Sequence, residues 1–309
     1  MADRLTYNRV HIWCMNVLVT GGTGFVGRNL IRELHDRGHE VTALARSPDE
    51  ADFPDGIERA MGDVTALTSI ESAFENQDAV VNLVALSPLF KPPRGVTHMS
   101  VHLGGTQNIV QAAEEHGVEK IVQMSALGAD PTGPTEYIRA KGQAEELVKS
   151  SDLRWTIFRP SIVFGDESEF LSFTKKLTPP YLAPLPGGGK TRFQPIWIGD
   201  LAPMLADGVD ESHDGELYEI GGPEVLTLAE VAKLVRQAEG QPVTVVPVPM
   251  ALAGVGLKIG GSIPGVPMGG DQYRSLQFDN TVKENDVAAF GVESSSLTTL
   301  AEYLGVKTR

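Results

Sequence analysis

The stretch that most restricts how this chain can fold is T-G-G-T-G-F-V-G at residues 20–27. It follows directly on the apolar run 15–19 and leads into the helical spacing Phe25, Val26, Leu30, Ile31, Leu34. Gly22, Gly24 and Gly27 fit G-x-G-x-x-G, while Gly21, Gly24 and Gly27 fit the variant with glycine at every third position. A strand must stop here, turn sharply and open a helix whose first N–H groups face outward. Any Cβ at those glycines would block the approach of a pyrophosphate. With a second strand expected at 39–44, the context predicts a dinucleotide-binding turn rather than a glycine-rich loop without a ligand.

Strand-like and helix-like segments alternate beyond it. Helix 25–37, strand 40–45, a short strand at 59–61, helix 66–74 and strand 79–84 come first. Helix 100–116, strand 120–125, helix 135–150 and strand 156–159 continue the series. Such alternation predicts an α/β fold, a Rossmann-type doubly wound parallel sheet. After Pro160 the connections turn proline- and glycine-rich, a strand is expected at 193–198, and Asp200 is suited to N-cap the helix that follows. Shorter elements come last: helix 227–239, strand 244–246, an apolar Gly/Pro-rich stretch at 247–270 and a helix at 296–304. Residues 15–165 with 193–221 are therefore expected to form the dinucleotide-binding domain, and 166–192 with 222–309 a smaller C-terminal lobe covering the substrate. Residues 1–14 carry no apolar period and are expected to be a disordered extension or to follow an upstream start codon.

Composition removes several function classes. The formal charge of −14, from 40 acidic against 26 basic residues, would repel nucleic acid. The same surface suits a salt-rich milieu, where screening removes its self-repulsion. Cys14 is the single cysteine, so neither an internal disulfide nor a cysteine metal cluster can form, and the seven histidines show no ligand spacing. We expect no metal site. A run long enough to span a membrane and a signal-peptide core are both missing, which sets cytoplasmic as the expected location. G-x-S-x-G does not occur, and G-G-G-K-T at 187–191 lacks the first glycine and the preceding strand of a P-loop.

The end of the second strand reads Leu44-Ala45-Arg46-Ser47. An acid there would hold a ribose 2′-OH, whereas Arg46, helped by Arg28, can pair with a 2′-phosphate; this favours NADP(H), with NAD(H) as the alternative. Asp63, in Gly62-Asp63-Val64, suits either an adenine edge or a turn cap. Tyr137 and Lys141 form Y-x-x-x-K, one helical face after the strand 120–125. A nearby ammonium would lower the phenol's pKa and make Tyr137 a proton carrier at neutral pH.

Together with Y-I-R-A-K, the segments F-R-P-S-I-V-F-G (158–165), F-Q-P-I-W-I-G-D-L-A (193–202) and Y-E-I-G-G-P-E-V-L-T (218–227) make the chain resemble the extended and atypical short-chain dehydrogenase/reductase superfamily. The resemblance runs from residue 15 to about 304. It is strongest to the branch of the nucleotide-binding accessory subunit of respiratory complex I and its prokaryotic relatives. It implies that Tyr137 is the acid/base, that Lys141 holds the nicotinamide ribose, and that Pro160 lies near the nicotinamide. The candidate catalytic residues are Tyr137, Lys141 and Ser125. The candidate cofactor-binding residues are Gly21, Thr23, Gly24, Phe25, Val26, Arg28, Arg46, Asp63, Val64, Val84, Lys141 and Pro160. Two positions depart from the family pattern: His102 stands where Asn is usual, four before Thr106, and Ala126 takes the substrate-orienting Ser/Thr position, one after Ser125. The leading expectation is an NAD(P)(H)-dependent oxidoreductase acting on a carbonyl or alcohol of a hydrophobic small molecule. A non-catalytic nucleotide-bound assembly or quinone-related factor, with peripheral membrane or respiratory-complex contact, is the first alternative. A nucleotide-sugar epimerase or dehydratase is the second. Leu86 to Phe90, Phe164, Phe170, Tyr181 and Trp197 are candidates for the apolar substrate side or for lobe core.

Overall fold

A computed structural model of the chain describes residues 14–90, 92–249 and 278–307. Residues 1–13 of the expected extension and 250–270 of the expected apolar stretch lie outside them. In chain order the first half contains β1 (Asn16–Thr20), α1 (Phe25–Asp36), β2 (Glu40–Ala45), β3 (Glu58–Met61), β4 (Ala79–Asn82), α2 (Gly105–His116), β5 (Lys120–Met124), α3 (Glu136–Lys149) and β6 (Arg154–Pro160). Then follow β7 (Val163–Phe164), α4 (Glu169–Leu177), β8 (Tyr181–Pro186), β9 (Arg192–Phe193), β10 (Ile196–Trp197), α5 (Ile198–Asp207), β11 (Glu216–Ile220), β12 (Leu226–Thr227), α6 (Leu228–Ala238), β13 (Val243–Val248) and α7 (Leu300–Tyr303).

Strand β1 buries all but Asn16, and β4 is buried throughout. Strands without a wet face belong in the middle of a parallel sheet covered on both sides. The seven-stranded sheet has the order β11-β6-β5-β4-β1-β2-β3, and the recorded pairings along it are parallel. Alternation along β1 feeds two cores. Val17 and Val19 join Leu30, Ile31 and Leu34 of α1 and Leu201, Met204 and Leu205 of α5. Leu18 joins Ile109, Val110 and Ala113 of α2 and Val148 of α3 on the opposite face. Because the chain leaves β1 toward β2 on one side and returns to β4 on the other, a crevice opens at the C-terminal ends of these strands.

Over the far end of that crevice lies a second packing unit. Phe173 of α4, Ala183 and Leu185 of β8, Phe193, and Leu228 and Ala232 of α6 form one cluster. Arg236 of α6 ties the layer together, its guanidinium donating to the carbonyls of Thr178 (2.6 Å) and Lys175 (2.6 Å) at the open end of α4.

Several local expectations are corrected. Residues 66–74 form two short 3₁₀ turns, Leu67–Ser69 and Glu71–Phe74, instead of one helix. Ser69 Oγ donates to the Ala66 and Asp63 carbonyls there, offering the backbone an alternative to the helical ladder. The helix expected from 100 begins as a π-helical turn, Met99–Gly104, before α2. Helix α5 starts at Ile198 with Trp197 at its N-cap, so Asp200 sits inside the first turn and accepts from the Thr298 amide (2.8 Å). The last helix is shortened to α7, opened by the reciprocal Thr299–Glu302 capping box.

Candidate functional site

The glycines of the 20–27 turn divide the labour differently from one another. Gly21 has φ +77°, which other residues rarely adopt, and a Cβ there would also meet the Leu83 and Val84 backbone at 3.1 Å. A Cβ on Gly27 would lie 2.4 Å from the Gly21 carbonyl oxygen, so its bareness lets α1 pack on the turn. Gly24 alone of these is exposed, and a Cβ there would meet only the Gly21 oxygen, at 3.2 Å. Its bareness serves whatever enters from the cleft. Helix α1 starts directly behind it with Gly24 as N-cap, no side-chain cap and no acid in its first turn. The amides of Phe25 and Val26 therefore have no intrahelical acceptor and meet no carboxylate of their own, which suits a phosphate. This cradle fits a dinucleotide.

The cleft above it has a volume of about 1190 Å³. Of the sequence-derived cofactor set, Gly21, Thr23, Gly24, Phe25, Val26, Arg46, Asp63, Val64, Val84 and Pro160 line it. Lys141 and Arg28 do not; Arg28 lines an adjoining pocket of about 330 Å³ with Thr23, Arg46, Ser47, Glu50 and Ala51. The Arg28 guanidinium is paired with Glu167. Arg46 is exposed and has no ion-pair partner among the described residues. Asp63 faces the cleft, but Oδ1 accepts from the amide (2.9 Å) and hydroxyl (2.7 Å) of Thr65, and these bonds hold its carboxyl below the usual range. The turn-cap reading of Asp63 is thus realised in the structure.

Tyr137 and Lys141 lie in the first turns of α3, which Thr135 caps by accepting from the Ile138 amide. Tyr137 lines the cleft; Lys141 is buried behind it and donates to the Met124 carbonyl at the end of β5 (2.7 Å). Burial pulls the ammonium down to about 8, opposed by the charge of Glu145. The expectation that Lys141 lowers the Tyr137 pKa is not met: burial pushes the phenol above its ordinary value. Ser125, at the strand end, is 3% exposed, lines the cleft, and its Oγ has no hydrogen-bond partner among the described residues. Ala126 lines the cleft beside it.

Behind Tyr137 stands an aromatic group produced by the π-helical turn. The rings of His98 and His102 stack at 5.6 Å, and the Tyr137 ring meets them edge-on at 5.4 and 5.3 Å. Burial first, then the charge of Lys141, holds His102 well below its ordinary range, so it is neutral. Its Nε2 lies 3.4 Å from the Leu86 nitrogen and 3.3 Å from the Leu86 oxygen, which anchors the cleft wall after β4. Asn82 anchors the same wall by accepting from the Val84 amide (3.2 Å) and donating to Thr106 and Gln123. Sequence reasoning passed over Asn82, although a polar residue closing the run Ala79–Asn82 was a readable signal. It also missed Asp279 and Asn280, which line the cleft after sequence separations of 87 and 119 from their partners Arg192 and Ser161. No local pattern could have placed them.

The substrate-side candidates separate. Leu86, Leu89 and Phe170 line the cleft along with Phe173 and Phe193, and Phe278 joins them from the C-terminal segment. Phe164 is fully buried lobe core, Trp197 packs against that core, and Tyr181 is exposed. Among the described residues no group of His, Cys, Asp and Glu is arranged to hold a metal, and no helix is long and apolar enough to cross a membrane.

A family model described as NAD(P)H-binding matches residues 21–179, just over half of the chain and the part that carries the turn, the cleft wall, Tyr137 and Lys141. The chain belongs to this NAD(P)H-binding family. Its relatives place it with the extended and atypical short-chain dehydrogenases. It is 29% identical over 248 residues to "NADH dehydrogenase [ubiquinone] 1 alpha subcomplex subunit 9, mitochondrial" of Arabidopsis thaliana, covering 76% of this chain and 60% of that one. It is 27% identical over 260 residues to a 3 beta-hydroxysteroid dehydrogenase/Delta 5-->4-isomerase of Mycobacterium tuberculosis, covering 73% and 70%. The matched region spans about three fifths of the length of the first of these relatives. Among solved structures, a nucleoside-diphosphate-sugar epimerase from Staphylococcus aureus superposes with a TM-score of 0.71 at 19% identity, over 94% of this chain and 99% of that one, which shows the shared fold.

Proposed function

We propose that this NAD(P)H-binding protein is an oxidoreductase that prefers NADP(H) and acts on a carbonyl or alcohol of a hydrophobic small molecule. The observation that carries the reading is the convergence on one cleft of the bare Gly24 cradle, the Tyr137 phenol, the unpartnered Ser125 Oγ and an apolar far wall. Gly24 and the first turn of α1 would hold the pyrophosphate, with Arg46 and Arg28 of the adjoining pocket set for a 2′-phosphate. When bound, the cofactor supplies the hydride. Tyr137, kept protonated by its buried setting, is suited to give a proton to a carbonyl oxygen. Ser125 Oγ would orient that oxygen by the hydrogen bond it lacks in the protein. Lys141 braces the end of β5 through Met124 and lies behind Tyr137, where the resemblance gives it the nicotinamide ribose. Phe170, Phe173 and Phe193 would exclude water from the substrate's body.

A second reading is supported by Ala126 and His102, which leave the family's substrate-orienting pattern incomplete, and by relatives whose names place them in respiratory NADH dehydrogenase. In it the chain is a nucleotide-bound assembly or accessory factor without turnover. One experiment separates the two. Mass spectrometry of the co-purified nucleotide, then titration with NADPH and NADH, should show tighter NADPH binding, and Arg46→Ala should narrow that gap by about 1–3 kcal/mol. In a screen of ketones, quinones and isoprenoid alcohols, Tyr137→Phe should keep nucleotide affinity and lower turnover about 10²-fold. Equal affinities would overturn the NADP(H) preference. Tight nucleotide binding without turnover on any of these would favour the accessory reading.

A further inference from the structure

Beside the cradle, α1 is clasped by the loop that precedes α4. The Arg28 guanidinium pairs with the Glu167 carboxylate, their side chains 29% and 67% exposed. The loop is pressed close: a Cβ on Gly165 would stand 3.0 Å from the Phe25 ring. Glu167 itself has φ +65°, a conformation that costs a non-glycine residue free energy and persists only where contacts hold it. Both flanks are pinned independently, since the Tyr303 hydroxyl donates to Asp166 Oδ1 (2.6 Å) and Ser168 Oγ donates to the Val163 carbonyl (3.1 Å). The next residues begin α4, whose Phe170 and Phe173 line the apolar end of the cleft.

We propose that Glu167 is the resident counter-ion of Arg28, displaced by a phosphate group when dinucleotide binds, and that this exchange makes Glu167 a positioning residue linking the cradle to α4. The inference rests on the cleft being the dinucleotide site. Glu167 engages the guanidinium through one nitrogen, Nη2, with one carboxylate oxygen, so a phosphate that takes the fork of this guanidinium bidentately, Nη2 included, has to draw that nitrogen from the carboxylate. The carboxylate is the weaker competitor, because its own side chain is mostly exposed and the loop must hold a left-handed residue to make the pair. A phosphate in the adjoining pocket gains Arg46 as well. Loss of the pair removes one of the restraints on the strained turn and leaves those at Asp166 and Ser168, so the cradle and the aromatic wall of the substrate end report on one another through one carboxylate.

The test is a fluorescence titration of NADPH into the wild type, Glu167→Gln, Arg28→Met and the double variant. Removing the competing charge should tighten binding by Glu167→Gln about two- to fivefold, the worth of an exposed ion pair that no longer has to break. In the Arg28→Met background the same substitution should change nothing. Hydrogen exchange across 165–177 should rise in the wild type on saturation with NADPH, and already be raised in unliganded Glu167→Gln. Equal or weaker NADPH binding by Glu167→Gln, with wild-type binding intact, would overturn the counter-ion proposal alone. Failure of every variant and of the wild type to bind either dinucleotide would overturn the reading of the cleft and this proposal with it.

Discussion

Lys141 is the residue whose burial has the sharpest thermodynamic consequence. The residue is 3% exposed, and burial draws its ammonium's pKa down to about 8 from an ordinary 10.5. Below pH 8 it is charged in both folded and unfolded chains, and the folded state bears the full cost of burying that charge. Between pH 8 and 10.5 the unfolded chain holds more protons than the folded one, so stability rises with pH. Tyr137 opposes this from about pH 10 upward, because its phenol, raised by burial, stays protonated while the unfolded one ionises. The expected signature is a gain of about 2 kcal/mol for the wild type relative to Lys141→Met between pH 7.5 and 9.5, read by urea unfolding. A flat difference would mean that the ammonium is solvated in the folded protein.

At the scale of elements, the glycine turn allows its two jobs to be told apart. Gly24→Val should leave cooperative unfolding intact and abolish dinucleotide binding, since its Cβ faces the cleft. Gly27→Ala should lower stability by about 1–3 kcal/mol, because the new methyl group collides with the turn's own carbonyls. Thermal melts with and without NADPH measure both, and loss of stability in the first variant would refute the division. The same contrast shows what could be read from the sequence. The turn, the central strands and the Y-x-x-x-K helix are specified by neighbours a few residues away, so their pattern is visible. Leu67–Ser69 and Glu71–Phe74 could not be separated from a helix by apolar period, because a serine hydroxyl settles the matter. Arg28 was legible as a cation at the helix start, but its pairing with Glu167 bridges 139 residues. The phenol's raised pKa likewise depends on what covers Tyr137, which no spacing encodes.

For the whole molecule, a formal charge of −14 means that folding concentrates repulsion which salt relieves. Raising sodium chloride from 0.15 to 1 M should lift Tm by about 1–2 °C, the equivalent of ~1 kcal/mol for a chain of this size. A Tm independent of salt would show that local ion pairs such as Arg154–Glu211 and Arg154–Glu119 already offset the surface repulsion. The cleft, meanwhile, is assembled from distant stretches: the turn at 21–27, the strand ends near 84 and 125, and the returning segment 278–283. Synthesis on the ribosome releases these in that order, and N-terminal units fold first. The nascent chain therefore exposes its glycine cradle before the opposite wall of its own cleft has been made, and the last wall is laid against a floor already in place.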